Sequence, residues 1–255
     1  MELVSWDLQN KTAIVTGGTK GIGWAIVNEF LHLGANVIVI ARNEEDMASS
    51  LAEWYAKGFN VKGIIADITA YDTYESILIQ IDLPAIDILV NNVGGNFPKK
   101  FLEYTQKDIE SIFNLNLFSN IRFTQLLFDK LKAANGAVII NISSIAGLED
   151  VGTGSLYAVC KAAIIQLTKS LAIEWAPFSI RVNSVAPWFT ATHRINTLLQ
   201  DQSLKDFVIT NTPLKTIARP VQIAHAVSFL AMESANYITG ETIVVDGGFS
   251  TQRKV

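Results

Sequence analysis

Short runs of apolar, largely β-branched residues alternate with helix-length segments along this chain. The runs at 12–16, 36–41, 61–66, 86–91, 137–143, 180–186 and 242–245 read as seven strands. Most are apolar at successive positions rather than at every second one, the pattern of strands covered on both faces. Between them lie helical stretches at 21–33, 44–57, 105–131, 155–176 and 220–232. Gly34 and Gly58 follow the first two, where glycine closes a helix with least strain. Pro220 opens the last, where a missing N–H is no loss. Strand, helix and strand in series require crossovers, so the sheet is parallel and helices cover both sides. No linker, repeat or low-complexity segment interrupts the 255 residues. The chain is therefore expected to be α/β: one doubly wound domain, 1–255, with a seven-stranded parallel sheet flanked by helices. Only 188–216 lacks the rhythm, and without a charged block it reads as short helices forming a substrate lid.

Composition narrows the function classes. Charged residues make up 17% of the chain, against a usual share of about 25%, which points to a heavily buried interior. A net charge of −4 argues against a nucleic-acid partner. Cys160 is the single cysteine, so no intramolecular disulfide can form. His32, His193 and His225 lack the spacing of a metal site, and no metal is expected. Met1 to Asp7 has no basic stretch followed by an apolar one, and no run of about 18 apolar residues occurs. The expectation is a cytoplasmic protein without a membrane partner.

The first strand runs into Thr16-Gly17-Gly18-Thr19-Lys20-Gly21-Ile22-Gly23, and a helix follows at once. Gly17 would permit a tight turn, Gly21 a close approach to a pyrophosphate, and Gly23 close packing of the helix on the sheet. The helix N-terminus would offer free N–H groups to phosphates. The spacing is neither Gly-x-Gly-x-x-Gly nor that of a loop ending in Gly-Lys-Ser/Thr. Its place between first strand and first helix is what carries the expectation of a Rossmann-type dinucleotide site. At the end of the second strand, where an acid would hold a ribose 2′-hydroxyl, stand Ala41 and Arg42. With Lys20, that gives two cations and no carboxylate in the slot at the strand end, which suits the 2′-phosphate of NADP(H); the alternative is two solvated surface cations. Asp67, closing the third strand before Ile68, is read either as an acceptor for the adenine amino group or as a cap for the next helix.

Tyr157-Ala158-Val159-Cys160-Lys161 puts a phenol and an ammonium four residues apart on one helical face. The ammonium would stabilise phenolate and lower the tyrosine pKa, making Tyr157 a general acid or base. Thirteen residues earlier Ser144 stands at the exit of the fifth strand, the edge of an open parallel sheet where ligands bind. It could donate a hydrogen bond to a carbonyl oxygen. Cys160 lies off that face and reads as a packed thiol.

Together these stretches resemble the short-chain dehydrogenase/reductase family. The resemblance runs through Thr16 to Gly23, Asn91-Asn92-Val93-Gly94, Asn116, Ser144, Tyr157-x-x-x-Lys161, Pro187 and Val245-Asp246-Gly247-Gly248. Trp6-Asp7-Leu8, Trp54 to Val61 and Leu171 to Ala176 are similar to its tropinone-reductase-like group. The resemblance implies an NADPH-dependent carbonyl reductase, reversible as an alcohol dehydrogenase. Ser144 would polarise the carbonyl and Tyr157 would be the acid. Lys161 would lower the Tyr157 pKa and bind the nicotinamide ribose, while Asn116 would hold a water linking Lys161 to solvent. Asn91 and Gly94 would line the cofactor cleft with Gly17, Thr19, Lys20, Gly21, Ile22, Gly23, Arg42, Asp67, Ile68, Tyr157, Lys161, Pro187, Thr190 and Thr192.

Two positions depart from the family pattern. Val93 replaces an alanine, and Trp188 replaces the glycine after Pro187. Either the backbone differs there or the indole walls the substrate pocket. The pocket is expected from Asn96, Phe97, Leu148, Trp188, Phe189 and His193. Glu149 and Asp150 stand near its mouth, as attractors of a cationic amine or as a solvated loop. Readings that stay open are a 3-oxoacyl-[acyl-carrier-protein] reductase, for which Arg194 is the one cation in place, and a dinucleotide-sensing regulator without turnover. The apolar excess of 105–131 and 155–176 implies a homotetramer or homodimer.

Overall fold

The computed structural model describes residues 5–251, so Met1 to Val4 of the N-terminal reading lie outside them. Its strands are β1 (Thr12–Thr16), β2 (Asn36–Ala41), β3 (Val61–Ile65), β4 (Ile88–Asn91), β5 (Val138–Ile142), β6 (Arg181–Pro187) and β7 (Thr242–Val245). All pair in parallel, in the order β3-β2-β1-β4-β5-β6-β7. The order reverses between β1 and β4. Crossovers leave in opposite directions there and open a crevice at the carboxyl ends of the strands.

The helices are α1 (Gly21–His32), α2 (Glu44–Ala56), α3 (Tyr74–Ile81), α4 (Gln106–Phe113), α5 (Ser119–Leu126), α6 (Phe128–Ala133), α7 (Ser155–Glu174), α8 (His193–Leu198), α9 (Gln202–Thr210) and α10 (Pro220–Ala231). Alternate residues of β1 explain the two layers. Ala13 and Val15 face Phe30 of α1 and Val227 of α10, while Ile14 faces Phe123 and Leu127 on the other side. Ala13, Ile14 and Val15 are all fully buried, as period-two geometry requires of a strand covered twice.

The single long helix expected over 105–131 is a correction. It breaks into α4, a π-helical turn (Asn114–Phe118), α5 and α6. Asn116 causes the wide turn: its amide donates both to the Ile112 carbonyl four residues back and to the Gly95 carbonyl. A side chain inserted into the helical ladder in this way opens it. Helix α3 was not expected. Helix α7 is long and apolar enough to cross a bilayer, yet it carries the buried Lys161 and packs on β6. Residues 188–216 do fold into short helices, α8 and α9.

Candidate active site

One cavity of about 750 Å³ runs along the carboxyl edge of the sheet, from the glycine turn to Ser144 and Tyr157. Its first end is the turn after β1. Gly17 and Gly21 both adopt positive φ, +66° and +57°, which glycine does without strain. A Cβ on Gly23 would lie 2.2 Å from the Gly17 carbonyl oxygen. The third glycine is therefore needed for packing against the turn itself, rather than against the sheet as expected. Lys20, at the N-cap of α1, makes no capping hydrogen bond with its side chain. The N–H groups of the first turn, in Gly21, Ile22 and Gly23, thus line the cavity beside Thr19 without a side-chain cap. That is a cradle for a phosphate, and the residues present fit a dinucleotide.

Asn92, absent from the expected set, clamps this turn. Its amide donates to the Thr16 and Gly17 carbonyls at 3.0 and 3.1 Å, and its N–H donates to the Thr16 hydroxyl. Asn91 is the correction. Successive residues of a strand point to opposite faces, and Asn91 points away from the cleft. It donates to Thr124 and Asn141, 2.9 Å each, in a buried amide network. Gly94 does line the cavity.

The two cations also need correcting. Lys20 pairs with Asp46 at 2.7 Å and Arg42 with Asp67 at 3.5 Å. Asp46 sits on the first turn of α2, its N–H capped by Asn43, and the fold brings it against Lys20 and Asp67 against Arg42. Asp67 also accepts from the N–H and hydroxyl of Thr69. Burial works to raise the Asp67 carboxyl, but the Thr69 donors and Arg42 outweigh it and hold it below its ordinary range. Asp67 and Ile68 line the cavity, as do Pro187, Thr190 and Thr192. The Thr190 hydroxyl donates to the Trp188 carbonyl, and Thr192 caps α8.

At the far end, β5 delivers Ser144, whose Oγ accepts from the Ala146 N–H at 3.2 Å. Gly147 then rests on the backbone of α7: a Cβ there would lie 2.6 Å from the Lys161 carbonyl carbon. That contact, which the sequence reading missed, fixes Ser144 against Tyr157. Burial pushes the Tyr157 phenol above its ordinary range, while a hydrogen bond with Ser144 and the charge of Arg194 pull the other way. Lys161 is 4% exposed, and burial lowers its ammonium to about 8. Its Nζ donates to the Ile142 carbonyl at 2.8 Å and stands 5.6 Å from the Tyr157 ring centre. The expected depression of the Tyr157 pKa by Lys161 is thus not the balance of this structure, in which burial dominates. Asn116 accepts from the Gly95 N–H and donates to its carbonyl, both 2.9 Å. Its amide holds the 94–96 turn beside Lys161. Cys160 is buried, and burial raises its thiol to about 11, consistent with a packed, inert group.

Of the expected pocket residues, Asn96, Phe97, Trp188, Phe189 and His193 line this end. Leu148 does not: it follows the tight Ile145–Gly147 turn and is 47% exposed. Glu149 and Asp150 are likewise outside the lining. Val151, Thr153 and Arg194 are in it. Trp188 keeps an ordinary backbone, with no positive φ. Its ring stacks on Phe249 with centres 3.7 Å apart, and its Nε1 donates to Thr212. The indole is held as a fixed wall by the C-terminal segment.

A family profile described as Enoyl-(Acyl carrier protein) reductase matches residues 17–250. A tropinone reductase homolog of Arabidopsis thaliana is 40% identical over 248 residues, covering 96% of this chain and 94% of that protein. One of Datura stramonium is 39% identical over 251 residues, with 96% and 94% covered. Among solved structures, a gluconate 5-dehydrogenase from Burkholderia cenocepacia in complex with NADP and tartrate superposes with a TM-score of 0.91. It is 26% identical, covering 97% of this chain and 98% of that one.

Proposed function

This chain belongs to the short-chain dehydrogenase/reductase family of oxidoreductases, and from that premise we propose that it reduces ketones with NADPH, in the manner of a tropinone-reductase-like enzyme. One observation carries the reading: a single cavity has a phosphate cradle at one end and the paired hydroxyls of Ser144 and Tyr157 at the other. When bound, a reduced nicotinamide supplies hydride. The chain's own residues handle the oxygen. Ser144 and Tyr157 would both donate to the substrate carbonyl, and Tyr157 would give up its proton as negative charge develops there. A phenol held protonated by burial suits that task in the reduction direction. Lys161 would offset the charge left on the phenolate, and Asn116 would position the 94–96 turn. Loss of NADPH absorbance with a panel of ketones tests this; no consumption with any of them would contradict it.

The preference for NADPH rests on Lys20 and Arg42. Their side chains are 66% and 75% exposed, so each can leave its aspartate for a 2′-phosphate. Arg42→Ala should lower kcat/KM for NADPH about 10- to 100-fold, the loss expected for a charge-assisted hydrogen bond to phosphate. NADH kinetics should be little changed. Equal effects on the two cofactors would count against the assignment.

A homotetramer, or at least a homodimer, is the assembly we propose. Phe101 and Leu102 beside α4, Phe118 beside α5, and Val159 and Ile173 of α7 are exposed apolar side chains, more than a solitary subunit needs to leave uncovered. Light scattering giving a monomer's mass would refute it.

A further inference from the structure

We infer that the carbonyl substrate of this enzyme carries a carboxylate and that Arg194 binds it. The inference deepens the ketone-reductase reading and rests on it. Around Ser144 and Tyr157 the cavity is lined by Asn96, Phe97, Val151, Thr153, His193 and Arg194. The charge presented there is cationic, since neither Glu149 nor Asp150 belongs to the lining.

Arg194 is aimed rather than adrift. One terminal nitrogen donates to the Asn96 carbonyl, and the guanidinium carbon stands 5.2 Å from the centre of the Phe97 ring. The other terminal nitrogen would lie 3.2 Å from a Cβ on Gly95. These contacts pin the group over the loop that follows β4, close enough to the reacting end for its charge to act on the Tyr157 phenol. Of the other cavity cations, Arg42 and Lys20 each have an aspartate, and Lys161 is buried with its Nζ on the Ile142 carbonyl. Among the described residues, no ion pair includes Arg194. A guanidinium offers five donors in a planar fork that matches a carboxylate.

The class of substrate is therefore an oxo acid, with a hydroxy acid as product.

Levulinate, acetoacetate and their methyl esters test this as matched pairs. The wild type should favour each acid about 10- to 100-fold in kcat/KM, the range for a charge-assisted pair. Arg194→Met should remove that preference, lowering kcat/KM for the acid far more than for the ester, and Arg194→Lys should restore part of it. Calorimetry on NADP⁺-saturated protein should detect levulinate binding in the wild type and lose it in Arg194→Met, with cofactor affinity unchanged. Equal rates for acid and ester in the wild type would overturn the inference and leave the reductase reading standing. So would a drop in NADPH affinity in Arg194→Met that slows acid and ester alike, because the arginine would then serve the cofactor. Failure to reduce any ketone, charged or neutral, would overturn the reductase reading as well.

Discussion

Tyr157→Phe should lower kcat/KM for ketone reduction by about 10²–10⁴-fold, the usual contribution of a positioned general acid, while NADPH still binds. The substitution removes one oxygen and keeps the ring. That ring sits on α7, whose backbone touches Gly147 of the loop leaving Ser144, so the geometry of the turn survives. What disappears is the proton donor and the hydrogen bond with Ser144. Ser144→Ala should retain more activity, since the phenol remains to donate. A Tyr157→Phe enzyme within tenfold of wild type would mean that the proton comes from elsewhere.

Lys161→Met should do two opposite things. Turnover should fall about 10- to 1000-fold, because the phenolate left after proton donation loses the nearby cation that offsets its charge. Stability should rise. Burial depresses the Lys161 pKa from 10.5 to about 8, so the unfolded chain binds the proton more tightly than the folded one. Below pH 8 the full cost of the buried ammonium is present, up to about 3 kcal/mol. It shrinks as pH rises from 8 towards 10.5. Methionine fills nearly the same volume without charge, but leaves the Ile142 carbonyl without a donor that now stands at 2.8 Å, returning about 1 kcal/mol. The net gain at neutral pH is about 1–2 kcal/mol, read as a melting temperature a few degrees higher. The advantage over wild type should fade in alkaline buffer. A variant less stable than wild type at neutral pH would show that the ammonium is compensated in the folded chain.

The sheet was legible because strands buried on both faces cannot hide: apolar residues at successive positions of β1, β2 and β5 leave one reading. The glycine turn and the Tyr157–Lys161 spacing were legible because local chemistry dictates them. Interactions that close over long separations were not. Asp46 reaches Lys20 across 26 residues and Asp67 reaches Arg42 across 25, and nothing in the local sequence of either cation announces it. Asn91 and Asn92 are adjacent amides, and only the strand's phase decides which faces the cleft. The helix break at Asn116 depends on Gly95, a residue 21 positions away. Leu148 seemed to face the pocket because it lies between Ser144 and Tyr157, but the tight turn at Ile145–Gly147 carries it outward. Gly147 was passed over for a similar reason: its need is set by α7, not by its neighbours.

On the proposed reading, hydride passes in this cavity from a nicotinamide to a carbonyl carbon while Tyr157 protonates the oxygen. The most direct test uses NADPH deuterated at the transferable position, a ketone in excess, and mass analysis of the alcohol formed by wild type and by Tyr157→Phe in equal times. Deuterium is expected on the carbinol carbon with wild type, and almost no alcohol with the variant. Alcohol without deuterium, or equal deuterated product from both proteins, would contradict it.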